Sequence, residues 1–114
     1  MSSPHDVPTV EVSQVPDVLP AGLTVLDVRE PVEWQHGRID GAVHVPMSQV
    51  PDRVDDLPRD ERLLVVCKVG GRSAQVTAYL QQQGFDAVNL DGGMLAWSAA
   101  GRPMVSDGDE PQVV

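Results

Sequence analysis

The 114-residue chain contains a single cysteine, Cys67. One thiol excludes an internal disulfide framework and a C-x-x-C redox pair. It leaves Cys67 as either a buried filler or a reactive group. Basic residues are scarce as well: eight Lys and Arg stand against seventeen Asp and Glu, a formal net charge of −9. That balance argues against nucleic acid, whose phosphates need compensating cations, and against an anionic membrane. Its plain consequence is a well-solvated surface. No apolar run approaches the roughly 20 residues of a membrane span. The opening MSSPHDVPTV has neither the basic nor the apolar segment of a secretory signal. A lone reduced thiol fits a cytoplasmic setting. Internal repeats and low-complexity tracts are absent.

What is present reads as one small domain. Hydrophobic residues make up 41% and charged residues 22%, and a chain of this length can hide roughly 65% of its unfolded surface. The ends read as loose: a flexible N-terminus over 1–8 and a disordered acidic tail over 106–114, bracketing a domain over 9–105. Within it, TVEV (Thr9–Val12), LTVLDV (Leu23–Val28), AVHVP, LLVVC (Leu63–Cys67) and FDAVNL read as strands. Between them lie a short turn capped by Ser13, a helical turn opened by Pro31, and a longer helix from Arg72 to Gln83. A last helix, GGMLAWSAAG, closes at Gly101. The continuous apolar runs suit strands buried on both faces. The expectation is an α/β fold with a mostly parallel sheet of about five strands and helices on both faces. Ligand sites in such sheets lie beyond the carboxyl ends of the strands. DVRE, CKVGGRS and DGGM all fall there.

Cys67 ends a buried strand, and four residues separate it from Arg72. Gly70 and Gly71 let the backbone curl so that successive N–H groups form an anion-binding nest. The helix N-terminus, Lys68 and Arg72 add positive charge. Each effect favours the thiolate, so the Cys67 pKa is expected below its free value of about 8.5. An inert core thiol is the alternative, and the neighbouring lysine and glycines argue against it.

Cys67-Lys68-Val69-Gly70-Gly71-Arg72-Ser73 resembles the C-x-x-G-x-R-S loop of rhodanese-like sulfurtransferases. LDVREPVEWQHGRIDGAVHVP (Leu26–Pro46) and GFDAVNLDGGMLAW (Gly84–Trp97) are similar to two further stretches of that family, in the same order. One departure is visible: Arg38 follows Gly37 where the family usually has His. The resemblance implies a rhodanese-like fold and a sulfane sulfur carried as a Cys67 persulfide. The donor would be a small anion such as thiosulfate, and the acceptor a thiol or a partner protein. Lys68, Val69, Gly70, Gly71, Arg72 and Ser73 would form the loop around that sulfur. No metal or organic cofactor is implied, and His5, His36 and His44 lack ligand spacing.

Two other classes stay open. Cys-based phosphatases and arsenate reductases place five residues between Cys and Arg, a wider cradle than four residues make. A non-catalytic interaction module has no need of a thiol in an anion nest. Asp27 and Arg29 read as supports that anchor the loop, with anion binding by Arg29 as the other reading. Trp34 and Trp97 read as core aromatics, and DRVDDLPRDER as a solvated connection.

Overall fold

Alternation along the central strand decides the architecture. In β4 (Arg62–Val66), Leu63 and Val65 pack on one side of the sheet and Leu64 and Val66 on the other. All four are buried, so both faces need cover. The structure, a computed structural model, describes residues 7–114. The loose N-terminus expected over 1–8 therefore falls mostly outside the described residues, as does His5.

Five parallel strands form one sheet in the order β1-β5-β4-β2-β3, with β1 Thr9–Val10, β2 Leu23–Asp27, β3 Val43–His44 and β5 Asp86–Leu90. Leu26 pairs with Val65, and Val65 with Asn89, so β2, β4 and β5 end together. One face is covered by α2 (Val50–Arg53) and α3 (Gly71–Gln82), whose Val50, Val76 and Leu80 pack on Leu26, Val28 and Cys67. The other is covered by α4 (Gly93–Ala99), whose Met94 and Trp97 pack on Leu64, Val66 and Leu90. The α1 helix (Pro31–His36) follows directly from the end of β2, opened by Pro31 and a reciprocal capping box between Glu30 and Glu33. Among the described residues no helix is long and apolar enough to cross a membrane.

Three local expectations change. The first strand stops at Val10 because Glu11 and Gln14 form a capping box that turns the chain and buries Val12. The cap is thus Glu11, not Ser13. DRVDDLPRDER is only partly solvated: it begins inside α2, continues as a 3₁₀ turn over Val54–Asp56, and buries Leu57. The 106–114 segment lies along α1, where the Asp107 N–H donates to Gln35 O and the Gln112 N–H to His36 O.

Candidate active site

The strand ends converge on Cys67, which follows β4 and is fully buried. The chain reverses at Gly70, whose φ of +111° is open to glycine and strained for other residues. This turn aims the Gly70 N–H at Cys67 Sγ, 3.0 Å away. Ser73 Oγ lies 3.2 Å from the sulfur, and the Ser73 and Val69 backbone N–H groups also favour its charged form. Burial pushes the thiol up. The Ser73 side chain and the three N–H groups outweigh it, and the Cys67 pKa falls below the ordinary thiol value. The sign follows directly. Native Cys67 stays a thiolate down to its lowered pKa, so alkylation by iodoacetamide should hold its plateau to lower pH in the folded protein than in urea. The matching stability is complete above the unfolded pKa and is lost as pH falls through the folded one. Equal alkylation profiles in the two states would contradict the nest.

The loop is held from below by the DGG turn. Gly92 and Gly93 both have positive φ, +74° and +56°, and they bring the first turn of α4 under the cysteine. Met94 N–H donates to Cys67 O at 2.8 Å and Leu95 N–H to Lys68 O at 3.0 Å. A Cβ on Gly93 would collide with Cys67 O and stand 2.7 Å from Lys68 C and O. Gly93→Ala should therefore cost about 3 kcal/mol, the sum of left-handed strain and overpacking. Gly71 has open space around its missing Cβ, so Gly71→Ala should stay within about 0.5 kcal/mol of the parent. Urea midpoints of the two variants check both values.

The expected charged groups divide by burial. Arg29 and Asp27 are fully buried and form a forked pair, with Arg29 Nη2 2.7 Å from Asp27 Oδ2. The same Nη2 donates to Gly37 O, so Arg29 ties the end of β2 to the end of α1. Arg72 gives both terminal nitrogens to Glu33 of α1, at 2.8 and 2.9 Å. Arg72 holds the Glu33 carboxyl below the usual carboxylate range, against the opposing effect of burial. Lys68, half-buried, is the only lysine in the chain, and Val69 projects outward with 59% of its surface exposed.

Two residues that bond Arg72 and Ser73 of the loop are absent from the sequence expectations. Glu33 lies within the α1 motif, and its partnership with Arg72 depends on a fold-level approach of α1 to α3. Asn89 bonds the Ser73 hydroxyl at 2.6 Å; its signal was a lone amide in an otherwise apolar strand. The departure at Arg38 sits at the C-terminal segment: its backbone pairs with Val105, its side chain meets Asp107 at 2.6 Å, and it covers the Trp34 ring. Trp97 is buried, as a core aromatic should be. Trp34 is only half-buried and stacks on His44, whose Nε2 bonds Arg29 O at 2.8 Å.

The ring of donors around one sulfur, supported by a glycine pair and two ion pairs, can stabilise negative charge on that sulfur. Known proteins share this chain's pattern. A family model described as Rhodanese-like domain matches residues 13–100. A sulfurtransferase of Allochromatium vinosum is 41% identical over 83 residues, covering 72% of this chain and 78% of that protein. The thiosulfate sulfurtransferase GlpE of Stutzerimonas stutzeri is 37% identical over 78 residues, covering 68% and 72%. The crystal structure of a rhodanese-like domain protein from Staphylococcus aureus superposes with a TM-score of 0.75 at 31% identity, covering 92% of this chain and 98% of that one. The chain therefore belongs to the rhodanese-like sulfurtransferase family, with Cys67 as its single thiol.

Proposed function

We propose that the protein moves a sulfane sulfur from a small anionic donor such as thiosulfate to a thiophilic acceptor through a persulfide on Cys67. The observation that carries this reading is the Gly70 N–H held 3.0 Å from a buried Cys67 Sγ within a four-residue loop. In the first half-reaction the thiolate attacks the outer sulfur of thiosulfate. A bond forms between Cys67 Sγ and that sulfur, the donor's own S–S bond breaks, and sulfite leaves with the bonding pair. In the second, cyanide, a small thiol or a partner protein's thiolate attacks the terminal sulfur, and the Cys67 thiolate leaves.

Each group has a distinct part in this scheme. The loop N–H groups stabilise charge on the cysteine sulfur as it forms and departs. Lys68 offsets the anionic donor at the mouth. Arg72, occupied by Glu33, fixes the loop. Arg29 and Asp27, bonded to each other and to Gly37 O, support the β2 end. Both steps are displacements at sulfur, so the chemistry calls on no metal or organic cofactor. A reducing compartment, such as the cytoplasm, would keep Cys67 available.

Initial rates with thiosulfate and cyanide test the scheme. Parallel double-reciprocal lines, the mark of two separate half-reactions, are expected. Intersecting lines would require both substrates on the enzyme together and would overturn the persulfide route.

A further inference from the structure

Asn89 is the polar break in β5. It is 5% exposed, between Val88 and Leu90 of the buried strand. It sits two residues beyond Ala87, which packs in the same cluster as Cys67, so alternation puts the Asn89 side chain on the cysteine's face. Its Nδ2 lies 3.5 Å from Gly70 O, and its Oδ1 accepts the Ser73 hydroxyl at 2.6 Å. Because Gly70 O can only accept, the amide nitrogen belongs on that side and the amide oxygen on the serine side.

A serine hydroxyl has one proton to give. With that proton on Asn89, Ser73 Oγ can only accept from Cys67, 3.2 Å away. The chain of bonds then runs from S–H to Oγ and from O–H to Oδ1, which is the arrangement of a thiol. A thiolate demands the reverse. The hydroxyl must turn toward the sulfur, and Asn89 Oδ1 loses its donor inside the protein. The help Ser73 can give the thiolate is therefore net of the bond it surrenders.

We propose that Asn89 is a positioning residue that, through Ser73, holds the hydroxyl proton away from Cys67 and so offsets part of the thiolate stabilisation that the loop N–H groups supply. The proposal goes beyond sulfur transfer, and its test reads the thiol itself without any sulfur donor. The charged groups around the loop are Lys68 beside the cysteine, Arg72 with its partner Glu33 on α1, the Asp27–Arg29 pair at the end of β2, and Asp91 just after β5. All are unchanged in the variants below.

The test is a four-member cycle of wild type, Asn89→Leu, Ser73→Ala and the double variant. Leucine keeps the shape of asparagine and removes the acceptor. The pH midpoint of iodoacetamide alkylation is read in each, with circular dichroism to verify the fold, and Cys67 is the only cysteine that can report. Asn89→Leu should move the midpoint lower with Ser73 present than with Ser73 absent, by about half to one pH unit, the worth of one neutral hydrogen bond. Equal shifts in the two backgrounds, or a coupling of opposite sign, would overturn the proposal. If Asn89→Leu fails to fold, Asn89→Ala in the same cycle carries the same prediction.

Discussion

Cys67→Ser should lose sulfur transfer by at least about a thousandfold, since a serine hydroxyl neither ionises near neutral pH nor stores a sulfane sulfur. The loss should lie in kcat and kcat/KM together, because the proposed persulfide cannot form. The size of the effect follows from the construction of the site. The Gly70 N–H, Ser73 and the α4-supported loop all converge on one sulfur atom. The described residues offer no second thiol to take over, as Cys67 is the only cysteine of the chain. The assay is cyanide-dependent thiocyanate formation on folded protein. Residual turnover within tenfold of wild type would move the chemistry away from Cys67.

Arg29→Ala should carry the largest loss of stability, about 3–5 kcal/mol, by stranding the Asp27 carboxylate in the interior. The guanidinium satisfies both Asp27 oxygens and Gly37 O. No smaller cation reproduces that fork, so Arg29→Lys should also lose stability, by a smaller amount. A small domain has roughly 5–15 kcal/mol in total, so the loss is a large share of the whole. The measurement is the urea midpoint at neutral pH. A loss under about 1 kcal/mol for Arg29→Ala would mean that water reaches Asp27 and that the pair is not a buried anchor.

The sequence makes the centre of the fold plain and its margins obscure. LLVVC is apolar on both faces, which permits only a central strand, and the structure puts β4 between β2 and β5. The helix expected from Arg72 to Gln83 runs from Gly71 to Gln82. It is legible because an apolar face and a terminal glycine mark it locally. The ends of the first strand and the path through DRVDDLPRDER were less readable. There, capping between Glu11 and Gln14 and burial of Val50 and Leu57 decide against simple propensity.

The site divides in the same way. Cys67, its glycines and Ser73 are contiguous, so their meeting could be argued from one stretch of chain. Glu33 and Asn89 reach the loop from α1 and β5, 39 and 16 positions away from their partners. No local pattern announces such a meeting. Only the parallel register, which ends β2, β4 and β5 at one level, brings these groups together. Trp34 shows the converse: an aromatic in a helical turn reads as core, yet α1 buries no residue and the ring stacks on His44 at the surface.

The most direct test of the account is the intact mass of the protein after incubation with thiosulfate and removal of the excess, beside a Cys67→Ser control. A persulfide predicts a gain of one sulfur atom on the wild type, none on the control, and its loss on addition of cyanide. No gain on a protein whose Cys67 still alkylates, or the same gain on the control, would contradict sulfur transfer from thiosulfate through this cysteine.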